Sequence, residues 1–223
     1  MKTIRAVCVV VMMAGLLLFG VSGMDDAANS EEVPEKIQIY DAQGELISLS
    51  VEEAAKEAHG DDCLCAAVAA RVTQVAIREL FGEEIPTQGM LKVVYHHPGH
   101  GMRDCFEHIL TAESVDYIPS GDPKNLNLED HFRYTFLRAD IGAVFDTGVT
   151  KGIIPEDFFD LRYKVKGFSK GWHEDQPSED EKVAFIQAKA EATNNILTME
   201  ASQIFERLDG NVAEGAESVA APT

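Results

Sequence analysis

Hydrophobic and polar positions change period several times along the chain, and the changes predict short strands interleaved with helices. Ile37-Gln38-Ile39-Tyr40 and the run from Glu45 to Leu49 read as two short strands around Asp41-Ala42-Gln43-Gly44, a hairpin turn. Ser50 with Glu53 three residues later is a capping box, opening a helix to about Ala58. After His59-Gly60, Asp61 or Asp62 is expected to cap a second helix, rich in Ala and Val, that runs to Phe81 and stops at Gly82. Met90 to Tyr95 reads as a buried strand. His96-His97-Pro98-Gly99 is a turn, and His100 to Thr111 a third helix with Met102, Phe106, Ile109 and Leu110 on one face.

Residues 114 to 130 carry Pro, Gly, Asp and Asn and read as loop. Two aromatic-rich strands follow, Phe132 to Arg138 and Gly142 to Thr147. Leu161, Tyr163 and Val165 alternate with Arg162, Lys164 and Lys166, the pattern of a half-exposed strand. Pro177-Ser178 with Glu181 opens a long helix to about Leu208. Strands and helices do not alternate regularly, so the fold class is α+β: a mixed sheet packed with helices, plus a long C-terminal helix.

The ends of the chain change this picture. Lys2 and Arg5 precede an uncharged apolar run from Val7 to Val21, and Ser22-Gly23 supply small residues for cleavage. Residues 1–23 therefore read as a secretory signal peptide, with an uncleaved anchor as the alternative. Residues 24–35 form an acidic leader, 36–210 a single domain, and 211–223 a disordered tail. The expected protein is exported, to a periplasm or the exterior, with no stable membrane insertion after cleavage. Against 38 acidic residues stand only 19 Lys and Arg, a formal net charge of -19. Such an excess repels polyphosphate and argues against nucleic acid as a partner. Three cysteines follow the signal: Cys63, Cys65 and Cys105. An odd number in an oxidising compartment leaves one thiol over, as a buried thiol, an intermolecular bridge or a metal ligand.

Candidate chemistry concentrates in two turns that feed helix N-termini, His59 to Cys65 and His96 to Gly101. A helix N-terminus stabilises a thiolate, which makes Cys63 the expected reactive or ligating sulfur. Imidazole and thiolate together suit zinc or another late transition metal. Two positions apart on a helix point about 200° from each other, so if both are helical Cys63 faces the site and Cys65 the core. Cys105 borders the apolar stripe of the third helix and reads as a buried structural thiol. His59, four residues before Cys63, has ligand spacing. His100 lies between two glycines, which allow a close backbone approach. The expected metal site is His59, Cys63 and His100, completed by Asp61 or His97.

The stretch from His59 to about Leu110 resembles the FmdE-like family, named for a component of formylmethanofuran dehydrogenase. That family opens with a His-Gly-His-x-Cys-Pro-Gly turn, an Ala-rich helix, a hydrophobic strand, and a Cys-containing turn into another helix. Here His59-Gly60-Asp61-Asp62-Cys63 keeps the first His, the Gly and the Cys. Leu91 to Tyr95 matches the strand, Asp104 an Asp of the following helix, and the strands from Phe132 to Thr147 the later β-section; the likeness covers about residues 37 to 168. The family's second His is Asp61 here, its Pro is Leu64, its next Gly is Cys65, and His100 or Gly101 stands where the second turn has Cys. The resemblance implies a metal-binding α+β core and a homodimer, with the ligand set open.

Three functions follow from these residues. The leading expectation is an exported protein that binds a transition metal, zinc above all. The second is an enzyme using the same site, a metal-dependent hydrolase or redox protein with Asp61 or Asp104 as the acid–base group. The third is a non-catalytic binding module whose thiols are structural.

Overall fold

The computed structural model describes residues 36–60 and 63–208. The expected signal peptide, leader and tail, and Asp61 and Asp62, lie outside the described residues. Strands β1 (Ile37–Tyr40) and β2 (Leu46–Leu49) pair antiparallel. Their turn is tied by Asp41, whose Oδ1 accepts from the backbone N–H of Gln43 and Glu45. Helix α1 (Val51–His59) follows, with the Ser50/Glu53 capping box formed as expected. Gly60 ends it at φ 82°, a backbone conformation that favours glycine.

Helix α2 (Leu64–Phe81) is buried almost all round. Its run of Ala66, Ala67, Ala69 and Ala70 lets other helices come close, and α1 packs on it together with α3 (His100–Leu110) and α6 (Glu179–Thr198). The main sheet comprises β3 (Leu91–Tyr95), β4 (Val115–Tyr117), β5 (Arg133–Arg138), β6 (Ala143–Val149) and β7 (Phe205–Arg207). Their spatial order is β4-β3-β5-β6-β7. β3 and β4 run parallel, joined through α3, and the remaining pairs are antiparallel, so the sheet is mixed and the α+β class holds. Tyr95, Tyr134, Phe136 and Phe106 form the aromatic centre of the core between sheet and helices.

Three expectations are corrected. Residues 114–130 are not all loop, because they contain β4 and the short helix α4 (Leu128–His131). Residues 161–166 are helical, inside α5 (Phe158–Ser169). Leu161 and Val165 are one helical turn apart and both pack on the core, so the same six residues satisfy a period of 3.6 as well as one of two. Phe158 decides between them by stacking on Phe185 of α6, with ring centroids 5.7 Å apart. The long C-terminal helix stops at Thr198, not Leu208. Met199 is extended, its carbonyl accepts from Arg71 Nη2 at 2.8 Å, and the chain continues through α7 (Ala201–Ile204) into β7, where Phe205 pairs with Val149. Among the described residues no helix is long and apolar enough to cross a membrane.

Candidate functional site

The end of α1 and the starts of α2 and α3 meet in one place. His59 is the last residue of α1, Cys63 the N-cap of α2, and Gly101 the second residue of α3. A Cβ on Gly101 would lie 2.5 Å from Cys63 Sγ and 2.9 Å from His59 Cδ2, so only a glycine admits both side chains. Gly99 does the same one step earlier, for the His97 ring, with Cys65 Sγ 3.7 Å from its Cβ position. The close approach expected around His100 is real, but the flanking glycines make it. His100 itself is exposed and is not part of the cleft wall.

Cys63 is the N-cap and has extended backbone angles, φ -91° and ψ 101°. Only Cys65 is helical, so the expected divergence of the two side chains, which needs both on the helix, does not occur. Both sulfurs line the same cleft, near enough that each thiol shifts the other's protonation in the opposite direction. Interaction with the Cys65 thiol is the largest reason the Cys63 thiol is lowered to about 6; N–H groups of the first turn of α2 and the nearby His59 add to it against burial. Cys65 moves the other way, held up by its interaction with Cys63 and by burial, while the charges of Arg162 and Lys189 pull it down. The two sulfurs thus share one cleft, Cys63 shifted toward thiolate and Cys65 toward thiol, in place of one site sulfur and one core sulfur.

Each cysteine has its own histidine. His59 Nδ1–H donates to Asp104 Oδ2 at 2.8 Å, which fixes the proton on Nδ1. His97 is buried, and desolvation lowers it to about 3, so the ring is neutral. Its Nδ1 accepts the Gly99 N–H at 2.9 Å, which places its remaining proton on Nε2, facing Cys65 Sγ at 3.5 Å. Phe132 packs on the edge of this ring, with centroids 5.0 Å apart. Cys105 is fully buried, its Sγ 3.9 Å from the Ala54 carbonyl, and burial pushes its thiol up to about 12. It is the structural thiol expected from the sequence.

Both sulfurs open onto a cleft of about 720 Å3 between the start of α2 and helices α5 and α6. Its walls carry Arg162 and Lys166 of α5 and Lys189 of α6, beside Phe158, Phe185 and Leu197. On its other side Cys63 closes a recess of about 90 Å3 with Glu52, Lys56 and Gly60. Arg162 and Lys166 were missed in the sequence because residues 161–166 read as a strand, which would send them along a sheet face instead of into a cleft; Lys189 was missed because the partner of its helix was not known.

The expected metal shell is only partly assembled. His59 is oriented as a ligand imidazole is, by a carboxylate on its far nitrogen. His97 is committed to Gly99 and Cys65, and His100 stands outside. Among the described residues no three His, Cys, Asp or Glu side chains converge as a metal cage. The described donors therefore do not fit a closed zinc site. Compared with models of protein families and with curated proteins, the chain matches none.

Proposed function

We propose that the protein is a thiol–disulfide exchange protein whose working pair is Cys63 and Cys65. The observation that carries this reading is that both sulfurs line one cleft, with Cys63 lowered toward thiolate and Cys65 raised toward thiol. The Cys63 thiolate attacks one sulfur of a substrate disulfide, forming a mixed disulfide and releasing the other half as a thiolate. Cys65 then attacks Cys63, and its proton passes to the second departing sulfur. The protein ends as a Cys63–Cys65 disulfide, having given two electrons to the substrate, and an external dithiol reverses the sequence. Arg162 and Lys189 favour sulfur anions here and disfavour a bare cation.

Cys65→Ala is the test. Treated with a small disulfide, this variant should accumulate a mixed disulfide on Cys63, whereas the native chain should go on to an internal Cys63–Cys65 bridge seen by peptide mass. A bridge to Cys105, or no bridge, would sink the reading.

A metal ion held by Cys63 and His59 is the second reading, supported by the Asp104–His59 hydrogen bond. Metal content by mass spectrometry, after purification without a His tag, separates the two: a stoichiometric ion lost on both Cys63→Ala and His59→Ala favours the metal. Export from residues 1–23, the likeness to the FmdE-like family and a homodimer belong to the same proposal. N-terminal sequencing of exported protein and light scattering check the first and the last.

A further inference from the structure

We propose that the cleft beside Cys63 binds a small organic anion with an apolar body, so that the substrate in exchange is a disulfide carrying carboxylates; its reactivity rests on the dithiol reading above, its binding does not.

The chain has twice as many acidic as basic residues, 38 against 19, yet the described wall of this cleft holds Arg162, Lys166 and Lys189 and no Asp or Glu. Elsewhere on the same two helices the lysines are paired: Lys164 with Glu181 at 2.8 Å, and Lys182 with Glu179 at 2.6 Å. Lys166 and Lys189 have no carboxylate partner among the described residues; Lys166 Nζ lies over the Phe185 ring, 5.9 Å from its centroid. Arg162 is half-buried, enough to lower it from its ordinary value, and its Nη1 donates only to the Lys124 carbonyl at 3.2 Å. A partly desolvated cation such as Arg162 is stabilised by an anion, and along this cleft the described residues supply none but the sulfurs.

The apolar half of the site is as definite. Phe158 and Phe185 stack against each other in its floor, and Ile186 stands 63% exposed beside them. Arg162 and Lys166 are one turn apart on α5, and Phe185 and Lys189 one turn apart on α6, so each helix presents its charge on the cleft face. A volume of about 720 Å3 is that of a small-molecule site. A flat aromatic or aliphatic segment between the rings and Ile186, with its carboxylates on the cations, places a neighbouring sulfur near Cys63.

Three small disulfides separate this idea from bulk charge: anionic dithiobis(nitrobenzoate), neutral dithiodipyridine and cationic cystamine. Each rate with the reduced full chain is divided by the rate with free N-acetylcysteine thiolate. A chain this acidic should repel the anionic reagent. The expected result is the reverse, a normalised rate about tenfold or more above that of the neutral reagent. In Lys166→Gln/Lys189→Gln the ratio should fall toward one. Unreactive nitrobenzoate should also protect Cys63 from the neutral reagent in the native chain and not in the double variant. An anionic reagent that is no faster in the native chain, or a ratio that survives loss of both lysines, overturns the proposal. Failure of the neutral reagent to produce the Cys63–Cys65 bridge overturns the dithiol reading instead, and protection by nitrobenzoate still reports on the anion site.

Discussion

Cys63 owes its chemistry to neighbours that can be removed one at a time. Its thiolate should persist down to about pH 6 and be lost below it, because the folded thiol sits well under its ordinary value. Alkylation by iodoacetamide should therefore be half-maximal near pH 6, where an ordinary thiol is half-maximal near about 8.5. Cys65→Ala takes away the largest contribution, the neighbouring thiol, and should move the midpoint upward. A midpoint that stays in place would mean that the helix N-terminus and His59 suffice. Gly101 gives a second handle. Its backbone is helical, so alanine should gain about 1 kcal/mol of helix propensity. The added Cβ would lie 2.5 Å from Cys63 Sγ, and overpacking of that kind costs about 1–3 kcal/mol. The clash wins: Gly101→Ala should lower the urea midpoint and slow alkylation of Cys63 at neutral pH. An unchanged alkylation rate would show that the sulfur has room to move.

The helices that frame the cleft were legible in the sequence to different degrees, for physical reasons. Capping boxes are local, so Ser50/Glu53 and Ser178/Glu181 marked the starts of α1 and α6 correctly. Ser178→Ala should cost about 0.5–2 kcal/mol in denaturant melts, because it strips the cap from α6 while Glu181 keeps its ion pair with Lys164. No loss would indicate that tertiary packing alone holds this end. Features set by distant contacts were not legible. α5 looked like a strand until its Phe158 met Phe185, twenty-seven positions away in sequence, and α6 stops early because β7 is needed at the sheet edge beside β6. The two sulfurs hid for a related reason. Whether Cys63 begins α2 as a helical residue or as its extended N-cap differs by one position, and that position decides whether the thiols diverge or face one cleft. His59, Cys63 and Gly101, singled out in two separate turns, come together in the fold, although α2 is capped by Cys63 and not by Asp61 or Asp62. The cations and the sharing of one cleft by Cys63 and Cys65 were not legible.

Across the described domain one core joins α1, α2 and α3 to the main sheet and reaches α5 and α6, so the cleft has no independent folding unit beneath it. Cys105 reports on that unity. It is fully buried on α3, its sulfur against the Ala54 carbonyl of α1, and nothing short of separating those helices exposes it. Cys63 should label at once in the native state, and Cys65 more slowly because its thiol is held protonated. Cys105 should label only through global unfolding, with an opening free energy equal to the value from urea denaturation and the same dependence on denaturant. The comparison needs Cys63→Ala/Cys65→Ala, so that Cys105 is the only thiol left after the apolar N-terminal run. Mass spectrometry after timed labelling at several urea concentrations gives both quantities. Labelling of Cys105 at a lower free energy, with a shallower urea slope, would show that the α1–α3 layer opens apart from the sheet. The Cys63 thiolate would then rest on a movable layer, and its exchange chemistry would be gated by that opening and not poised in the native state.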